Sequence, residues 1–575
     1  MTTNAGNWTL VFLKSADGRD NKYMISTISI VPAVLDVMSG PQGVAIAMIV
    51  YFTAMIMIGL WAYTRTSTMD DYMLGGRELN PLVAALSAGA ADMSGWLLMG
   101  LPGVLYAAGL VQSWIAIGLT AGAYINWWIV APRLRTYTEV SKNSITVPSF
   151  LSNRLRDKSN AIRVAAGIIF LVFFTLYVAS GLVSGGKFFD SSFGIPYETG
   201  MVIVAAIVVL YTLVGGFLAV SWTDTVQGFM MVIALVAVPI TGLIAAGGLG
   251  QVAVDVAAKG VETNQEMLSL VFNVDPRDIV TGLAWGLGYF GMPHIIVRFM
   301  ALKTPQQATQ ARRIWAIWMV LSLFGAIGTA IVGISLVRQK IINMDGADNE
   351  TIFLVTGHTL FPSIFAGFML AAILAAIMST VSSQLLVTSS AVVEDIYNSF
   401  SKENVKNVSL GITIGDRTVT QSNLGVTMGR VVVLFVTLVG VALAWNAKES
   451  TSLISSSILI IVSFAWAGFG ASFGPIIILS LWWRKLTAPG ALWGMISGAV
   501  TVVVWHYLLN NGEFSVIANT KIYEILPGFV VCWLVAYAVS MVTYKPNPEI
   551  EAEFDLAVKM AKSKEYEPFV PAESN

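Results

Sequence analysis

Long apolar stretches, separated by short polar ones, fill this chain from about residue 43 to residue 543. A helix that crosses a membrane needs about 20 mostly apolar residues. A window of that length finds thirteen stretches, which lie near residues 43–63, 82–108, 112–131, 163–186, 199–218, 224–247, 279–300, 314–337, 362–392, 428–445, 454–483, 488–508 and 524–543. The pattern predicts an all-α integral membrane protein with about thirteen transmembrane helices in a single domain over residues 43–543.

The positively charged residues predict how these helices are oriented. Lysine and arginine collect in the loops after the third, seventh and eleventh stretches and in the C-terminal segment, namely Arg133, Arg135, Lys142, Arg154, Arg156, Lys158, Lys303, Arg312, Arg313, Arg484, Lys485, Lys559, Lys562 and Lys564. Because such residues favour the cytoplasmic side, we expect the N-terminus outside and the C-terminus inside. Residues 1–42 are then an N-terminal extension, residues 400–426 a cytoplasmic loop and residues 544–575 a cytoplasmic tail.

The composition narrows the class of protein. Charged residues make up 12% of the chain and hydrophobic residues 56%, whereas an average soluble protein has about 25% charged residues. The formal net charge of −1 argues against a nucleic-acid surface, which needs a basic stripe. Cys532 is the single cysteine, and His294, His358 and His506 are far apart. Neither an internal disulfide nor a Cys/His metal cluster is therefore expected.

The first residues do not have the pattern of a secretory signal. Residues 1–37 place charged side chains ahead of a short apolar stretch that Pro32 interrupts, which is the wrong order for a signal peptide. One hypothesis is that translation starts at Met38, just before the first strong apolar stretch. A peptide from upstream of Met38 in the purified native protein would contradict this hypothesis.

Two of the thirteen stretches are interrupted by glycine and proline. The second contains SAGAADMSGWLLMGLPG (87–103) and the seventh contains GLAWGLGYFGMPH (282–294). Both residue types weaken a helix, and irregular backbone in a membrane is tolerated where it lines a cavity. Each interrupted stretch opens a run of five, which predicts two inverted repeats over about 82–247 and 279–483 with a binding site at the bilayer midplane. Close helix packing through glycine is the alternative interpretation.

The interrupted stretches carry side chains that suit a binding site. A carboxylate such as Asp92 costs roughly 2.5–3.5 kcal/mol at the centre of a membrane helix, so it is expected to face a cavity. Trp96 follows Asp92 by four residues, as Tyr289 follows Trp285, so each pair shares a helix face. Aromatic faces across a cavity suit a small solute with an apolar body. Core packing or a place at the membrane interface is the alternative for these rings.

A third polar element lies in the ninth stretch, within ILAAIMSTVSSQLL. The spacing of Ser379, Thr380 and Ser383 places their hydroxyls on one side of the helix. Such residues often bond the carbonyl four residues earlier. Together with a carboxylate and with carbonyls freed at a helix break, they could instead complete an oxygen-only cage, which suits sodium.

Three other charges lie in or beside the apolar stretches. Asp224 stands at the predicted start of the sixth stretch, where it would either cap the helix or serve the function. Arg298, at the end of the seventh stretch, is expected to extend its charged head toward the cytoplasm. Arg77 is expected to be a loop charge on the cytoplasmic side.

Seven segments resemble the sodium/solute symporter family, most closely its proline-transporting branch. They are DDYMLGGRELNP, SAGAADMSGWLLMGLPG, QSWIAIGLTAGAYINW, GGFLAVSWTDTVQ, WGLGYFGMPH, AAIMSTVSSQLLVTSSA and FAWAGFGASFGP. The resemblance runs from about Met38 to Tyr544 and implies the LeuT-like 5+5 inverted-repeat fold, with one helix before the core and two after it. Ser383 where the family usually has cysteine, Met292 where it has glutamine, and a longer 400–426 loop depart from the family pattern.

The resemblance also implies the site residues. A sodium site would use backbone oxygens of Ala90, Met93 and Ala376 with the hydroxyls of Ser379 and Thr380. Asp92 would be needed for sodium coupling. Substrate binding or gating would involve Ser94, Trp96, Tyr177, Trp285, Tyr289 and Pro293.

The function that the resemblance implies is secondary active transport. It is sodium-coupled uptake of L-proline by alternating access across a bacterial-type plasma (inner) membrane, with Na⁺ as the coupling ion and no organic cofactor. The partners would be L-proline, sodium and the lipid bilayer, with no nucleic acid and no obligate protein partner. The nearest alternative is a sodium symporter of the same fold for pantothenate, a monocarboxylate or a sugar; a transporter-like sensor or a channel is more distant. An enzyme is least expected, since the motifs assemble no nucleophile–base pair or metal cluster.

Overall fold

The computed structural model describes residues 9–15, 23–29, 42–65, 73–400, 409–414, 417–445, 447, 457–510, 520 and 522–569. Apart from two β-hairpins and short connections, these residues are helical, as the apolar pattern predicts. The helices are α1 (Gln42–Tyr63), α2 (Pro81–Asp92), α3 (Trp96–Ala108), α4 (Ser113–Ile129), α5 (Ala131–Val140), α6 (Val147–Arg154), α7 (Ala161–Phe193), α8 (Tyr197–Leu213), α9 (Gly216–Ala245), α10 (Leu249–Thr263), α11 (Pro276–Phe290), α12 (Pro293–Met300), α13 (Gln307–Arg338), α14 (Ile352–Leu360), α15 (Ser363–Tyr397), α16 (Leu424–Ala444), α17 (Ile458–Trp482), α18 (Ala488–Leu508), α19 (Ile525–Thr543) and α20 (Pro548–Lys562). Short helical turns lie at Gly75–Arg77, Leu110–Gln112, Asn349–Thr351 and Asn398–Phe400.

Many of these helices can cross a membrane. Within the described residues, nine are long and apolar enough, and the number reaches twelve if each of three bent pairs is one span. The bent pairs join α2 to α3, α4 to α5 and α11 to α12, while α8 is a shorter apolar helix. Each of the thirteen predicted stretches coincides with one of these helices or pairs. The number of crossings and the side of each terminus stay predictions.

Each glycine- and proline-rich stretch forms a broken helix. The first bends by 63° between α2 and α3, and the second by 45° between α11 and α12. α2 starts as its sequence dictates, because the Asn80 side chain accepts the N–H of Val83 and Pro81 occupies the first turn. Four further apolar helices follow each broken one: α4, α7, α8 and α9 after the first, then α13, α15, α16 and α17 after the second. This order agrees with two runs of five, and the predicted repeat boundaries stay a prediction.

Glycine sets how closely α4 and the second broken helix approach. A Cβ atom on Gly122 would lie 2.1 Å from the carbonyl oxygen of Gly286, and one on Gly286 would lie 2.3 Å from that of Gly118. A larger residue at either position would push the backbones apart. Small residues of this kind let membrane helices pack in direct contact, and here they position the second break against α4.

Two short hairpins differ from the all-α prediction. Strand β1 (Thr9–Ser15) pairs antiparallel with β2 (Tyr23–Ser29), and β3 (Ser409–Ile414) pairs antiparallel with β4 (Arg417–Asn423). They lie in the predicted N-terminal extension and in the predicted 400–426 loop. A window of about 20 apolar residues does not register strands of six or seven residues. The all-α prediction therefore holds for the apolar helices and not for these two segments.

Candidate functional site

The break in the first broken helix frees backbone carbonyls. In a continuous α-helix the carbonyl of Ala90 would accept the N–H of Ser94, but this N–H is bonded to the carbonyl of Asp92 at 3.0 Å. The N–H of Leu97 bonds to the carbonyl of Ser94 at 3.0 Å instead of reaching back to Met93. Two carbonyls thus lose their helical partners at a depth where unsatisfied backbone groups are costly.

Hydroxyl groups on α15 replace the missing donors. Ser379 Oγ donates to the carbonyl of Ala90 at 2.7 Å and lies 3.1 Å from the carbonyl of Ala376, while Thr380 Oγ1 lies 3.3 Å from the carbonyl of Ala90. Four of the five residues that the resemblance assigns to a sodium site therefore meet at one point. Met93, the fifth, stands at the break itself, where its backbone leaves the helical conformation (φ −82°, ψ 78°).

The oxygen cluster of Ala90, Ala376, Ser379 and Thr380 can exchange its partners. A hydroxyl is both a donor and an acceptor, so Ser379 and Thr380 can turn from donating to a carbonyl to presenting lone pairs. Carbonyl and hydroxyl oxygens are the ligands that hard cations prefer. All four residues are at most 1% exposed, so a cation held by them would be shielded from water.

Asp92 links the two broken helices. One of its carboxylate oxygens accepts a hydrogen bond from the hydroxyl of Tyr289 on α11, and its backbone carbonyl accepts the indole N–H of Trp96 at 3.1 Å. Its other oxygen, Oδ1, is buried without a hydrogen-bond partner among the described residues. The Asp92 carboxylate therefore retains the capacity for one more partner.

The break in the second broken helix is satisfied in another way. Pro293 has no N–H, so the carbonyl of Tyr289, four residues earlier, lacks a helical partner. The side-chain amide of Asn126 on α4 donates to this carbonyl at 2.9 Å. The carbonyl of Trp285 accepts the indole N–H of Trp466 on α17 at 2.8 Å. Both donors come from neighbouring helices.

Aromatic rings enclose the second break. Tyr289 meets Trp466 edge to face, with ring centroids 5.1 Å apart, and Trp285 packs on Tyr523 with centroids 5.1 Å apart and planes inclined by 30°. Such arrangements are favourable because the edge of one ring is positive and the face of the other is negative. The rings hold Trp285 and Tyr289 in fixed orientations.

The predicted solute residues of the first broken helix face α7. Tyr177 on α7 lies near Ser94 and Trp96. All the residues that the resemblance assigns to solute binding are buried, and they are Ser94, Trp96, Tyr177, Trp285, Tyr289 and Pro293. Tyr177 thus lies with Ser94 and Trp96, and Tyr289 joins this group through Asp92. Trp285 packs on Tyr523 instead, and Pro293 lines a separate small cavity with Met73 and Phe217.

Two buried charges differ from what the sequence suggests. Asp224 lies inside α9 and does not cap it, and Arg298 is 1% exposed and does not extend to the cytoplasm. The Arg298 guanidinium lies 3.1 Å from the Asp224 carboxylate and donates to Ser383 Oγ at 2.7 Å, while Ser87 Oγ donates to Asp224 at 2.8 Å. The two charges compensate each other inside the protein. Ser383 belongs to this cluster and not to the one around Ala90.

Reasoning from the sequence missed Asn126 and Trp466. A signal for Asn126 was present, because an amide inside the apolar segment AYINWW must find a partner. Trp466 gave no such signal, since tryptophan is common in membrane helices.

Known proteins similar to this chain include bacterial transporters. The model of the sodium:solute symporter family matches residues 72–498. The high-affinity proline transporter PutP of Bacillus subtilis is 49% identical over 501 residues, which cover 87% of this chain and 98% of that protein. A sodium/proline symporter of Staphylococcus aureus is 46% identical over 517 residues, which cover 90% of this chain and 96% of that protein.

A solved structure shares the fold. The substrate-bound outward-open state of a Na⁺-coupled sialic acid symporter matches with a TM-score of 0.69 and 18% sequence identity, covering 88% of this chain and 98% of that chain. At this identity the similarity shows a common arrangement of helices. Together, this shared arrangement and the many helices that are long and apolar enough to cross a membrane identify the chain as a multi-pass membrane protein.

Proposed function

We propose that this chain, which belongs to the sodium:solute symporter family, takes up L-proline together with sodium across a bacterial plasma membrane by alternating access. The observation that carries the proposal is the meeting of a freed carbonyl and two hydroxyls at the first break, next to the buried carboxylate of Asp92. The choice of substrate is supported by the two relatives above, both described as proline carriers.

Sodium would bind between the first break and α15. Its ligands would be the carbonyls of Ala90, Met93 and Ala376 and the hydroxyls of Ser379 and Thr380. The fit is supported by the 2.7–3.3 Å separations between these hydroxyls and the carbonyls of Ala90 and Ala376, because the groups already converge. The ion would take over the carbonyls of Ala90 and Met93, which lack helical N–H partners, and would share the carbonyl of Ala376, which stays inside α15.

Asp92 would couple the ion to the solute. In a region of low dielectric constant its negative charge attracts a cation strongly, and its contact with Tyr289 connects it to the second broken helix. Sodium would stabilise the outward-open arrangement that also binds proline. By linkage, each ligand then raises the affinity for the other.

Proline would lie between the two breaks. Trp96, Tyr177, Trp285 and Tyr289 offer aromatic faces for its apolar ring, and the N-terminal ends of the half-helices offer N–H groups for its carboxylate. Ser94 adds a hydroxyl at the first break, and Pro293 shapes the second. The burial of all these residues supports an occluded site that opens to one side at a time.

The proposed topology has thirteen crossings, with the N-terminus outside and the C-terminus inside. It is supported by ion pairs that join the C-terminal helix α20 to two of the basic loops. Glu553 lies 2.5 Å from Arg156, and Asp555 pairs with Arg484. The loops that follow the third and eleventh stretches therefore share one face with the tail, as the charge pattern requires.

Uptake of radiolabelled proline into proteoliposomes tests the proposal. With an inward sodium gradient the wild type should accumulate proline, and Asp92→Asn should lose sodium-driven accumulation while remaining folded. Failure of the folded wild type to move proline under any gradient would overturn the substrate. Competition by pantothenate, monocarboxylates or sugars would then identify the solute.

A diffusion potential tests the charge that moves. One positive charge crossing the membrane is worth about 2.3 kcal/mol per 100 mV, so a potassium–valinomycin potential, negative inside, should stimulate uptake. A rate of uptake that does not change with this potential would contradict net transport of a cation with the solute.

A further inference from the structure

The cytoplasmic ends of the two broken helices are joined by backbone hydrogen bonds. The N–H of Leu79 donates to the carbonyl of Ala301 at 3.1 Å, and the N–H of Lys303 donates to the carbonyl of Leu79 at 3.1 Å. Leu79 and Leu302 thus form a parallel bridge. Leu79 leads into α2, and the other three residues follow α12. This cytoplasmic bridge (Leu79 with Ala301, Leu302 and Lys303) ties together the two helices that carry the candidate site.

Two arginines hold the cytoplasmic bridge in place. Arg135 on α5 donates to the carbonyls of Leu302 at 2.5 Å and Lys303 at 3.1 Å. Arg77, in the short turn before α2, donates to the carbonyl of Met300 at 2.9 Å, so this loop charge also serves as a structural tie. Hydrogen bonds from a charged donor are stronger than neutral ones. Arg77 therefore links the two sides of the bridge directly, and Arg135 fixes the side that follows α12 to α5.

The C-terminal segment reaches the same Arg135. Glu139, one turn further along α5, pairs with Arg135 at 2.6 Å. The hydroxyl of Tyr566 lies 2.9 and 3.0 Å from the two carboxylate oxygens of Glu139, and the N–H of Phe569 donates to Glu139 at 2.9 Å. Arg135 also donates to the hydroxyl of Tyr566 at 3.2 Å. A continuous chain of hydrogen bonds therefore joins the tail to the bridge.

The rest of the tail fixes the position of Tyr566. Phe554 of α20 is buried against α5, and Glu553 pairs with Arg156 at 2.5 Å. Beyond α20, the carbonyl of Ser563 accepts the side-chain amide of Gln306 at 2.9 Å. The tail is thus attached on both sides of the bridge, to the loop after the third stretch and to the loop that precedes α13.

We propose that the C-terminal segment Pro548–Phe569 is a latch that holds the cytoplasmic side closed through Tyr566, Glu139 and Arg135. The inference rests on the proposed function, because the cytoplasmic bridge must part for a solute to leave toward the cytoplasm. The contacts of the C-terminal segment with Glu139 are polar, so water can replace them. Release of the latch shifts the population toward the inward-open arrangement, and ligands that prefer the outward-open arrangement then bind less tightly.

A cysteine reporter tests the latch. Val297→Cys places a thiol on α12, one turn inside the bridge, in a chain whose buried Cys532 is replaced by serine. A membrane-impermeant maleimide is applied to the cytoplasmic side of inside-out vesicles without sodium or proline. Tyr566→Phe and Glu139→Gln should each raise the alkylation rate about three- to tenfold, as expected for the loss of one hydrogen bond of ordinary net strength. Tyr566→Phe keeps the ring, and thermal unfolding of each variant verifies that it is folded.

Asp555→Asn is the matched control. It removes the ion pair between Asp555 and Arg484, which belongs to the same tail and is about half exposed, with side-chain exposures of 53% and 52%. This pair does not reach Arg135, so we expect an unchanged alkylation rate and unchanged proline uptake. Unchanged rates in both Tyr566→Phe and Glu139→Gln would overturn the latch, and so would an equal rise in Asp555→Asn.

The reporter separates the latch from the proposed function. Alkylation requires neither proline nor transport, whereas uptake in proteoliposomes requires both. A responsive reporter in a protein that carries no proline would support the latch and overturn the substrate. Sodium-driven proline uptake with an unresponsive reporter would support the function and overturn the latch.

Discussion

The two broken helices solve the same problem with different chemical groups. Each leaves at least one carbonyl without a helical partner. At the first break the carbonyl of Ala90 is satisfied by the hydroxyls of Ser379 and Thr380. At the second break the carbonyl of Tyr289 is satisfied by the amide N–H of Asn126, and the carbonyl of Trp285, which begins a 3₁₀ turn, also accepts an indole N–H.

This difference decides which break can hold an ion. A hydroxyl can turn and present a lone pair, whereas an indole N–H is a donor only and an amide NH₂ group cannot accept. The first break can therefore exchange its hydrogen bonds for a cation. The second directs fixed N–H groups at its carbonyls and serves to hold Trp285 and Tyr289 in position. Similar glycine and proline signals in the sequence thus produce a candidate ion site in one place and a rigid structural support in the other.

Removing both hydroxyls of the first break should have the largest effect. In Ser379→Ala/Thr380→Ala the sodium concentration for half-maximal proline uptake should rise about 100-fold, since each lost ligand at roughly 1.4 kcal/mol is worth tenfold. Thr380→Ser keeps a hydroxyl and should stay near the wild type. A sodium dependence that is unchanged in the double variant, measured by initial rates of uptake, would place the ion elsewhere.

Adding one methyl group at the second break should destabilise the fold. A Cβ atom on Gly288 would lie 1.9 Å from Trp466 Nε1, so Gly288→Ala should lower the free energy of unfolding by about 3 kcal/mol, the upper range for overpacking. Gly100→Ala on the first broken helix is the control, because its nearest contact would be 3.5 Å from Leu459 Cβ. A thermal unfolding midpoint, Tm, that falls equally in both variants would refute the assignment of Gly288 as the crowded position.

Loss of the amide donor at the second break should affect the stability of the fold and the binding of the solute more than it affects the binding of sodium. Asn126→Leu leaves the carbonyl of Tyr289 without its partner, which should cost about 1–2 kcal/mol and raise the KM for proline. The control on the same helix is Thr120→Ala, since Thr120 bonds only the carbonyl of Ala116 at 2.8 Å within the described residues. If Asn126→Leu instead raised the sodium requirement selectively, the contrast between the two breaks would be wrong.

The smallest expected effect concerns pH at the C-terminal end of the first broken helix. Lys259 on α10 donates to the carbonyl of Tyr106 at 2.7 Å. Partial burial, followed by the charge of Arg338, lowers the pKa of Lys259 from 10.5 to about 8. Because the folded pKa lies below the unfolded one, this group should add stability as pH rises from about 8 toward 10.5 and none of it below 8. Comparison of Tm for wild type and Lys259→Gln at pH 7 and 9.5 checks the sign, and a loss of relative stability at pH 9.5 would contradict it.

Part of the candidate site could be predicted before the fold was known. Asp92 is recognisable because a carboxylate in an apolar stretch is energetically costly. The breaks are recognisable because glycine and proline weaken a helix at the positions where they occur. The resemblance to a family supplied Ala376 and Tyr177, which no local signal marks. The pairing of Asp224 with Arg298 could not be predicted, because it joins α9 to α12 and depends on how the helices pack.

The sequence by itself determined where the chain can enter a membrane and where its helices break, since hydropathy and the backbone preferences of glycine and proline act over a few residues. The tertiary structure alone decided which groups fill those breaks. The hydroxyl of Ser379 and the carbonyl of Ala90 are 289 positions apart, and the amide of Asn126 is 163 positions from the carbonyl of Tyr289. Whether a freed carbonyl meets a hydroxyl or an N–H depends on packing between distant helices, and that packing separates the candidate ion site from a structural support.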